Sequence, residues 1–131
     1  GGGRREAPAS AAALKKQIKG LRRDTKALYE YLDTVPGECL GRLLVGGLEE
    51  EELMPMVRAL DEHGVEGDAG HAFEVVRGVS GVPRAGITVR MLDGKDASRL
   101  EKLLLKLHPA KVPGAKYTAE EWDTVRRALM A

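Results

Sequence analysis

Between Thr25 and Leu107 the apolar residues recur at three- and four-residue spacing in short runs, and each run is cut off by Gly, Pro or an acidic turn. Leu28, Tyr31, Leu32 and Val35 fall at i, i+3, i+4 and i+7. Leu53, Met56, Val57 and Leu60 repeat the spacing, and Leu100, Leu103, Leu104 and Leu107 repeat it again. On a helix each set forms one apolar face, which water drives against another such face. Helices this short are marginal alone, so the chain is constrained to an all-α fold held by tertiary packing.

Local signals place the remaining elements. Leu40, Leu43 and Leu44 predict a short helix after Pro36, and Ala69, Ala72, Phe73, Val76 and Val79 predict one opened by Asp68 as N-cap and ended by Gly81. Pro55 is expected in the first turns of its helix, or else to kink it. Ile87, Thr88, Val89, Arg90 and Met91 have a strand-like composition, but no second run of period two exists to pair with them. That stretch is therefore read as a short buried helix from about Arg84 to Leu92. Asp93, with Asp96 three residues on, opens the next helix. Thr118 and Glu121 form a capping box, with Tyr117 and Trp122 placed as a hydrophobic staple, so a helix from Ala119 to about Leu129 is expected. The connection between His108 and Lys116 is long enough for that helix to fold back over the bundle. At least six helices and no sheet are expected between Thr25 and Met130.

Composition bounds this picture. A chain of 131 residues that is 43% hydrophobic can bury one core, filled mostly by Leu, Val and Ala because there are only five aromatics. The lone Cys39 excludes an internal disulfide and agrees with a reducing compartment; it reads as a small core residue beside Leu40. No stretch approaches a membrane span and no charged-then-apolar leader is visible, so a soluble chain without a membrane partner is expected. Gly1, Gly2 and Gly3, with no initiator Met, look like an expression scar or an excision point, which suggests a fragment of something longer.

Charge is close to balanced, at +1, but unevenly placed. Through Lys26 there are eight Lys/Arg against Glu6 and Asp24; the remainder carries thirteen against eighteen. Leu14, Ile18 and Leu21, after a Ser10 cap, make the basic part a potential amphipathic helix broken near Gly20. Residues 1–23 are therefore set apart as a basic segment, linker or helix, partly expression-derived, preceding a domain at 24–131. Lys15, Lys16, Lys19, Arg22 and Arg23 form its basic patch. It could meet tubulin's acidic surface, the protein's own acidic body, or solvent, which is the usual fate of a charge run. No aromatic is interleaved for base stacking, so nucleic acid is not an expected partner.

Catalysis is poorly supported. Asp61, Glu62, His63, Glu66, Asp68 and His71 are metal-binding residue types without a metal-binding spacing, and they read as a surface turn between helices. Gly64, Gly67 and Gly70 fail the dinucleotide fingerprint and read as turn glycines. Neither Cys39 nor Ser80 sits in a nucleophile motif, and the acidic run Glu49 to Glu52 suits a helix start. No catalytic residue, metal or cofactor is expected.

Leu28-Tyr29-Glu30-Tyr31-Leu32, the Leu48-Glu49 turn, Met56-Val57-Arg58-Ala59-Leu60 and Val82-Pro83-Arg84-Ala85-Gly86-Ile87 leading to Met91-Leu92 together resemble the C-terminal domain of RNA polymerase II-associated protein three. The same domain closes sperm-associated antigen one and a coiled-coil ciliary protein needed for dynein arms. The resemblance runs from about Leu21 to Leu107, with a looser match over the last helix. It implies a superhelical bundle of about six to seven short helices that acts as an adaptor. In the co-chaperone members that adaptor docks on the ATPase face of a RuvB-like AAA+ hexamer. The family's Arg-Phe-x-Met docking segment maps onto Arg84, Ala85, Gly86 and Ile87, with Ala85 in place of Phe and Ile87 in place of Met. If the family Phe is a core anchor, Ala85 leaves room for neighbours to fill; if it touches the partner, an aromatic anchor is lost. Arg84 and Ile87 are the partner-binding candidates, with Arg84 alternatively paired to a nearby carboxylate. The expectation is a cytoplasmic or ciliary adaptor that binds a RuvB-like ATPase or other assembly factors in preassembly of complexes such as axonemal dynein. The alternative is a self-associating ciliary protein that binds tubulin or dynein arms through its basic segment.

Overall fold

A computed structural model describes residues 8–130, so Gly1 to Gly3, Arg4, Arg5 and Glu6 lie outside the described residues. Among the described residues the chain is all-α, with no strand and eight α-helices, seven of them between Thr25 and Met130. Its centre is a spine. α4 (Glu50–Ala59) runs through one π-helical turn (Leu60–Gly64) into α5 (Val65–Ser80). α1 (Ala11–Gly20), α2 (Thr25–Asp33) and α7 (Gly94–Lys106) lean on α4. A 3-10 turn (Gly37–Cys39), α3 (Leu40–Leu43), α6 (Ala85–Arg90) and α8 (Ala119–Met130) lean on α5.

The three four-residue stripes supply the core as expected: all but the partly buried Tyr31 are buried, in one cluster with Phe73. Pro55 is the sixth residue of α4, where the missing N–H falls one turn past the helix start. Asp68 has non-helical dihedrals (φ −159°, ψ 83°), and its carboxylate accepts from the His71 N–H at 3.0 Å, so it caps the stripe-bearing part of α5. Gly81 ends α5, though in right-handed geometry (φ −86°) rather than the left-handed cap glycine usually supplies. Where the 3-10 turn crosses α5, Gly37 and Gly78 touch backbone to backbone. A Cβ on Gly37 would lie 2.4 Å from the Glu74 carbonyl, so no side chain fits either position.

The helix after Thr118 forms with both halves of its capping box, at 3.0 Å and 2.9 Å. Tyr117 is buried in the same core as Trp122. Its ring stacks on Phe73, with centroids 3.8 Å apart and an 8° interplanar angle, and its hydroxyl donates to the Leu107 carbonyl. Burial raises its pKa, with a further push from Glu74. Trp122 is buried against His108, and its indole N–H donates to the Leu104 carbonyl at 2.8 Å. The long connection thus folds α8 back onto the bundle.

Four sequence readings need correcting. The acidic stretch around His63 is not a surface turn: the π turn keeps the spine continuous and points its polar groups both ways. Asp61 binds Arg99 and Lys106 of α7 at 3.3 Å and 2.7 Å. Glu62 binds Arg99 at 3.2 Å and accepts from the Thr25 hydroxyl of α2 at 2.5 Å, which is the main reason its pKa is lowered. With that hydroxyl proton committed, His63 Nε2–H donates to the Thr25 oxygen at 3.1 Å. Second, Gly64, Gly67 and Gly70 are spine residues; at Gly67 a Cβ would collide with the Tyr29 hydroxyl. Third, α6 is only half buried. Val89 faces inward, whereas Ile87 and Met91 face solvent.

The fourth correction concerns the basic segment. Residues 8–23 are not a solvated linker, because Ser10 caps α1 at 3.0 Å and Leu14 and Ile18 are buried in the common core. Lys15 and Lys19 reach Glu52 of α4 at 3.6 Å and 3.7 Å. Glu52, only 2% exposed, also accepts from the Glu49 N–H at 2.9 Å. It is thus a helix-start carboxylate, as expected, and in addition the anchor of α1.

Candidate functional site

The surface that the Arg84 and Ile87 reading singles out begins with a turn. Val82 carbonyl accepts from the Ala85 N–H at 3.1 Å, with Pro83 and Arg84 between them. Arg84 is left-handed there (φ 65°, ψ 18°), the only non-glycine with positive φ among the described residues. Turns with Pro second and a left-handed third residue normally give that third place to Gly or Asn. An arginine held in it marks a strained position, of the kind that clusters at functional sites.

The Arg84 carbonyl then accepts from the N–H groups of Ile87 (3.0 Å) and Thr88 (3.1 Å), which opens α6. Arg84 is exposed, and its guanidinium donates to the Gly46 carbonyl at 3.4 Å rather than to a carboxylate. Thr88 Oγ1 donates to the Leu48 carbonyl at 2.8 Å. α6 and the 45–48 loop are therefore laced at two points, 38 and 40 residues apart in sequence.

The exposed apolar side chains concentrate here. Val45 is 68% exposed, Ile87 50% and Met91 76%; among the described residues Leu105, on α7, is the only other large hydrophobic so exposed. Ile87 and Met91 share one stripe at i, i+4, and Val45 adjoins the Gly46 that Arg84 holds. Exposed Arg90 adds a second cation to α6, whose first turn has no acid. The position where the resemblance expects Phe is settled by burial: Ala85 points into the core. α8 packs on the same short helix, so closely that a Cβ on Gly86 would lie 2.8 Å from the Ala128 carbonyl. The lack of a side chain at 86 lets α8 approach this closely. Exposure at Ile87 had a sequence signal in the resemblance. Val45 and Met91 had none, because only the tertiary lacing brings the loop to the helix.

The basic patch fares differently. Lys15 and Lys19 turn toward Glu52, Arg22 donates to the Lys19 carbonyl at 2.7 Å, and Lys16 and Arg23 remain exposed. A concavity of about 850 Å³ shares no residue with α6; Glu38, Glu66, Asp68, Glu74 and Lys116 are among the residues lining it. Among the described residues no three His, Cys, Asp or Glu side chains converge as a metal-ligand set, and no helix is long and apolar enough to cross a membrane. Cys39 is buried, and burial above all, with Glu38, raises its pKa, the opposite of an activated thiol.

Comparison with known proteins bears on the family and the fold. The family RPAP3_C, described as the potential Monad-binding region of RPAP3, matches residues 7–97. That match starts earlier than the resemblance suggested and takes in α1. The NMR structure of the C-terminal domain of the human RPAP3 protein superposes with a TM-score of 0.79 at 16% identity, covering 96% of this chain and 90% of that one. Comparison with curated proteins finds no match.

Proposed function

This chain belongs to the RPAP3 C-terminal domain family, a protein-interaction family, and from that premise we propose that it is an adaptor docking on a RuvB-like AAA+ ATPase through Arg84 and Ile87. The observation that carries the reading is the placement of Arg84: exposed, left-handed and anchored at the head of a short helix whose outward stripe is apolar. Rigid, preformed apolar surfaces with a central arginine are what partner-binding hot spots are made of. The setting we propose is cytoplasmic preassembly of multiprotein complexes such as axonemal dynein, as part of a co-chaperone-type assembly factor. Monad, which the family description names for RPAP3, is the competing partner in the same assay.

The test is binding of the purified domain to a purified RuvB-like hexamer, and to Monad in parallel. Arg84→Glu should abolish ATPase binding without changing the circular dichroism spectrum. Lys16→Glu/Arg23→Glu should leave it intact, and binding should fall less steeply with salt than a contact led by the basic segment, because an apolar contact is weakly screened. Lys15 and Lys19 are unsuitable for the control, since reversing them would press a second carboxylate on buried Glu52. Loss of binding only in the Lys16/Arg23 variant would favour the alternative, an electrostatic role on tubulin or dynein arms.

A further inference from the structure

We propose that Thr25 is a phosphorylation site for a protein kinase that reads arginines two and three residues before its acceptor, and that the phosphate unlatches α2 from the spine. Of the serines and threonines in the chain, Thr25 alone has basic residues at both of those places, Arg23 and Arg22. Both arginines are exposed, in the stretch 21–24 between α1 and α2, where a cleft lined with carboxylates can reach them. Asp24 has non-helical dihedrals (φ −118°, ψ 87°) and Thr25 is the first residue of α2, so of this segment only the acceptor itself has to leave a helix.

The acceptor hydroxyl is also what ties this end of α2 to the π turn. It is half-buried, donates to the Glu62 carboxylate at 2.5 Å and accepts from His63 at 3.1 Å, while Glu62 is held in turn by Arg99 of α7 at 3.2 Å. With the hydroxyl so engaged, the kinase acts on molecules in which the first turn of α2 has opened. The γ-phosphoryl group of ATP passes to Thr25 Oγ1: the Oγ1–P bond forms as the bond to ADP breaks, and the hydroxyl proton goes to the catalytic aspartate of the kinase. The product has no proton to give Glu62 and sets a dianion against its carboxylate, so the latch cannot close again. Nearby groups do not offset this. Arg99 is shared with Asp61 at 3.3 Å, Arg22, Arg23 and Lys26 stand in water where screening weakens them, and the Ala27 N–H is already capped by Asp24. Leu28 and Leu32 remain fully buried anchors, so the modification loosens the start of α2 and leaves the fold in place.

The experiment incubates the purified chain with the catalytic subunit of cyclic-AMP-dependent protein kinase and Mg-ATP, and maps the phosphate by mass spectrometry. It should appear on Thr25. Arg22→Ala/Arg23→Ala should slow its incorporation about tenfold or more, since two charge-assisted contacts to the kinase are lost. Glu62→Ala should quicken it severalfold, because the hydroxyl is no longer held. At about pH 8, where phosphothreonine is a dianion, the modified chain should melt roughly 3 to 8 °C lower, with faster amide exchange at the start of α2 and in the π turn but not in α8. In Glu62→Gln, where the repulsion is absent, the same phosphate should lower the melting point by less than half as much. No phosphate on Thr25 of the wild type, or a rate indifferent to Arg22→Ala/Arg23→Ala, would overturn the site. No drop in melting, or equal drops in wild type and Glu62→Gln, would overturn the unlatching.

Discussion

Glu52 and its two lysines make an asymmetric prediction. Removing either side of the same ion pairs breaks the same contacts, yet the costs should differ. In Glu52→Gln the amide oxygen can still accept from the Glu49 N–H, and Lys15 and Lys19 are exposed enough to swing into water. The loss is then about one net hydrogen bond to a charged group, roughly 1 kcal/mol. In Lys15→Met/Lys19→Met the carboxylate stays where it is, 2% exposed, with one backbone N–H and no cation. The Coulomb attraction at 3.6 and 3.7 Å is large on paper, but side-chain exposures of 30% for Lys15 and 53% for Lys19 require a heavy discount for solvent screening. Charge left unpaired in a desolvated position should still cost about 2 to 3 kcal/mol. For a domain of this size that is a drop in melting temperature of roughly 6 to 12 °C against about 3 or 4 °C for Glu52→Gln. Urea denaturation followed by far-ultraviolet circular dichroism, with calorimetry for the melting points, measures both. If Glu52→Gln costs as much as the lysine pair, the carboxylate is not desolvated in the sense claimed, and α1 is held by Leu14 and Ile18 alone.

Three further outcomes are expected. Trp122→Ala removes a buried ring and its bond to Leu104, at about 3 to 5 kcal/mol; unchanged melting would make α8 a peripheral tail. Gly86→Ala should cost about 1 to 3 kcal/mol by forcing α6 and α8 apart, and hydrogen exchange should quicken in α8, not α1; equal quickening in both would point to general loosening. Glu62 titrates below its ordinary value of 4.5, chiefly through the Thr25 hydroxyl and further through Arg99. A depressed carboxylate stabilises the fold above its unfolded pKa and loses that contribution as pH falls through the folded one. Wild type should therefore lose stability below about pH 4.5 more steeply than Glu62→Gln, and parallel acid limbs in the two would contradict the assignment.

What the sequence announced were features decided within one or two turns of chain: the stripes, the Ser10, Asp68 and Asp93 caps, and the Thr118/Glu121 box. Each depends on neighbours three or four residues away. What stayed hidden depends on residues distant in sequence. The stacking of Tyr117 on Phe73 joins residues 44 apart, and the π turn is held by partners on α2 and α7, 37 to 45 residues away. The inward turn of Lys15 and Lys19 follows from a buried acid on another helix. At the candidate site, Arg84 and Ile87 were legible through the resemblance, while Val45, Met91 and Thr88 needed the lacing of loop to helix.

The spine carries a consequence for where such a domain may be cut. The family match stops at residue 97, three turns short of Leu107, whereas α7 and α8 cover opposite halves of the 50–80 helix. A recombinant piece ending at 97 would strip Leu100, Leu103, Leu104, Leu107, Trp122, Val125 and Leu129 from the core and leave the spine's apolar sides facing water. The unit that sequence comparison detects and the unit that folds are therefore different lengths of the same chain, and binding experiments on the shorter one would report on a sticky fragment.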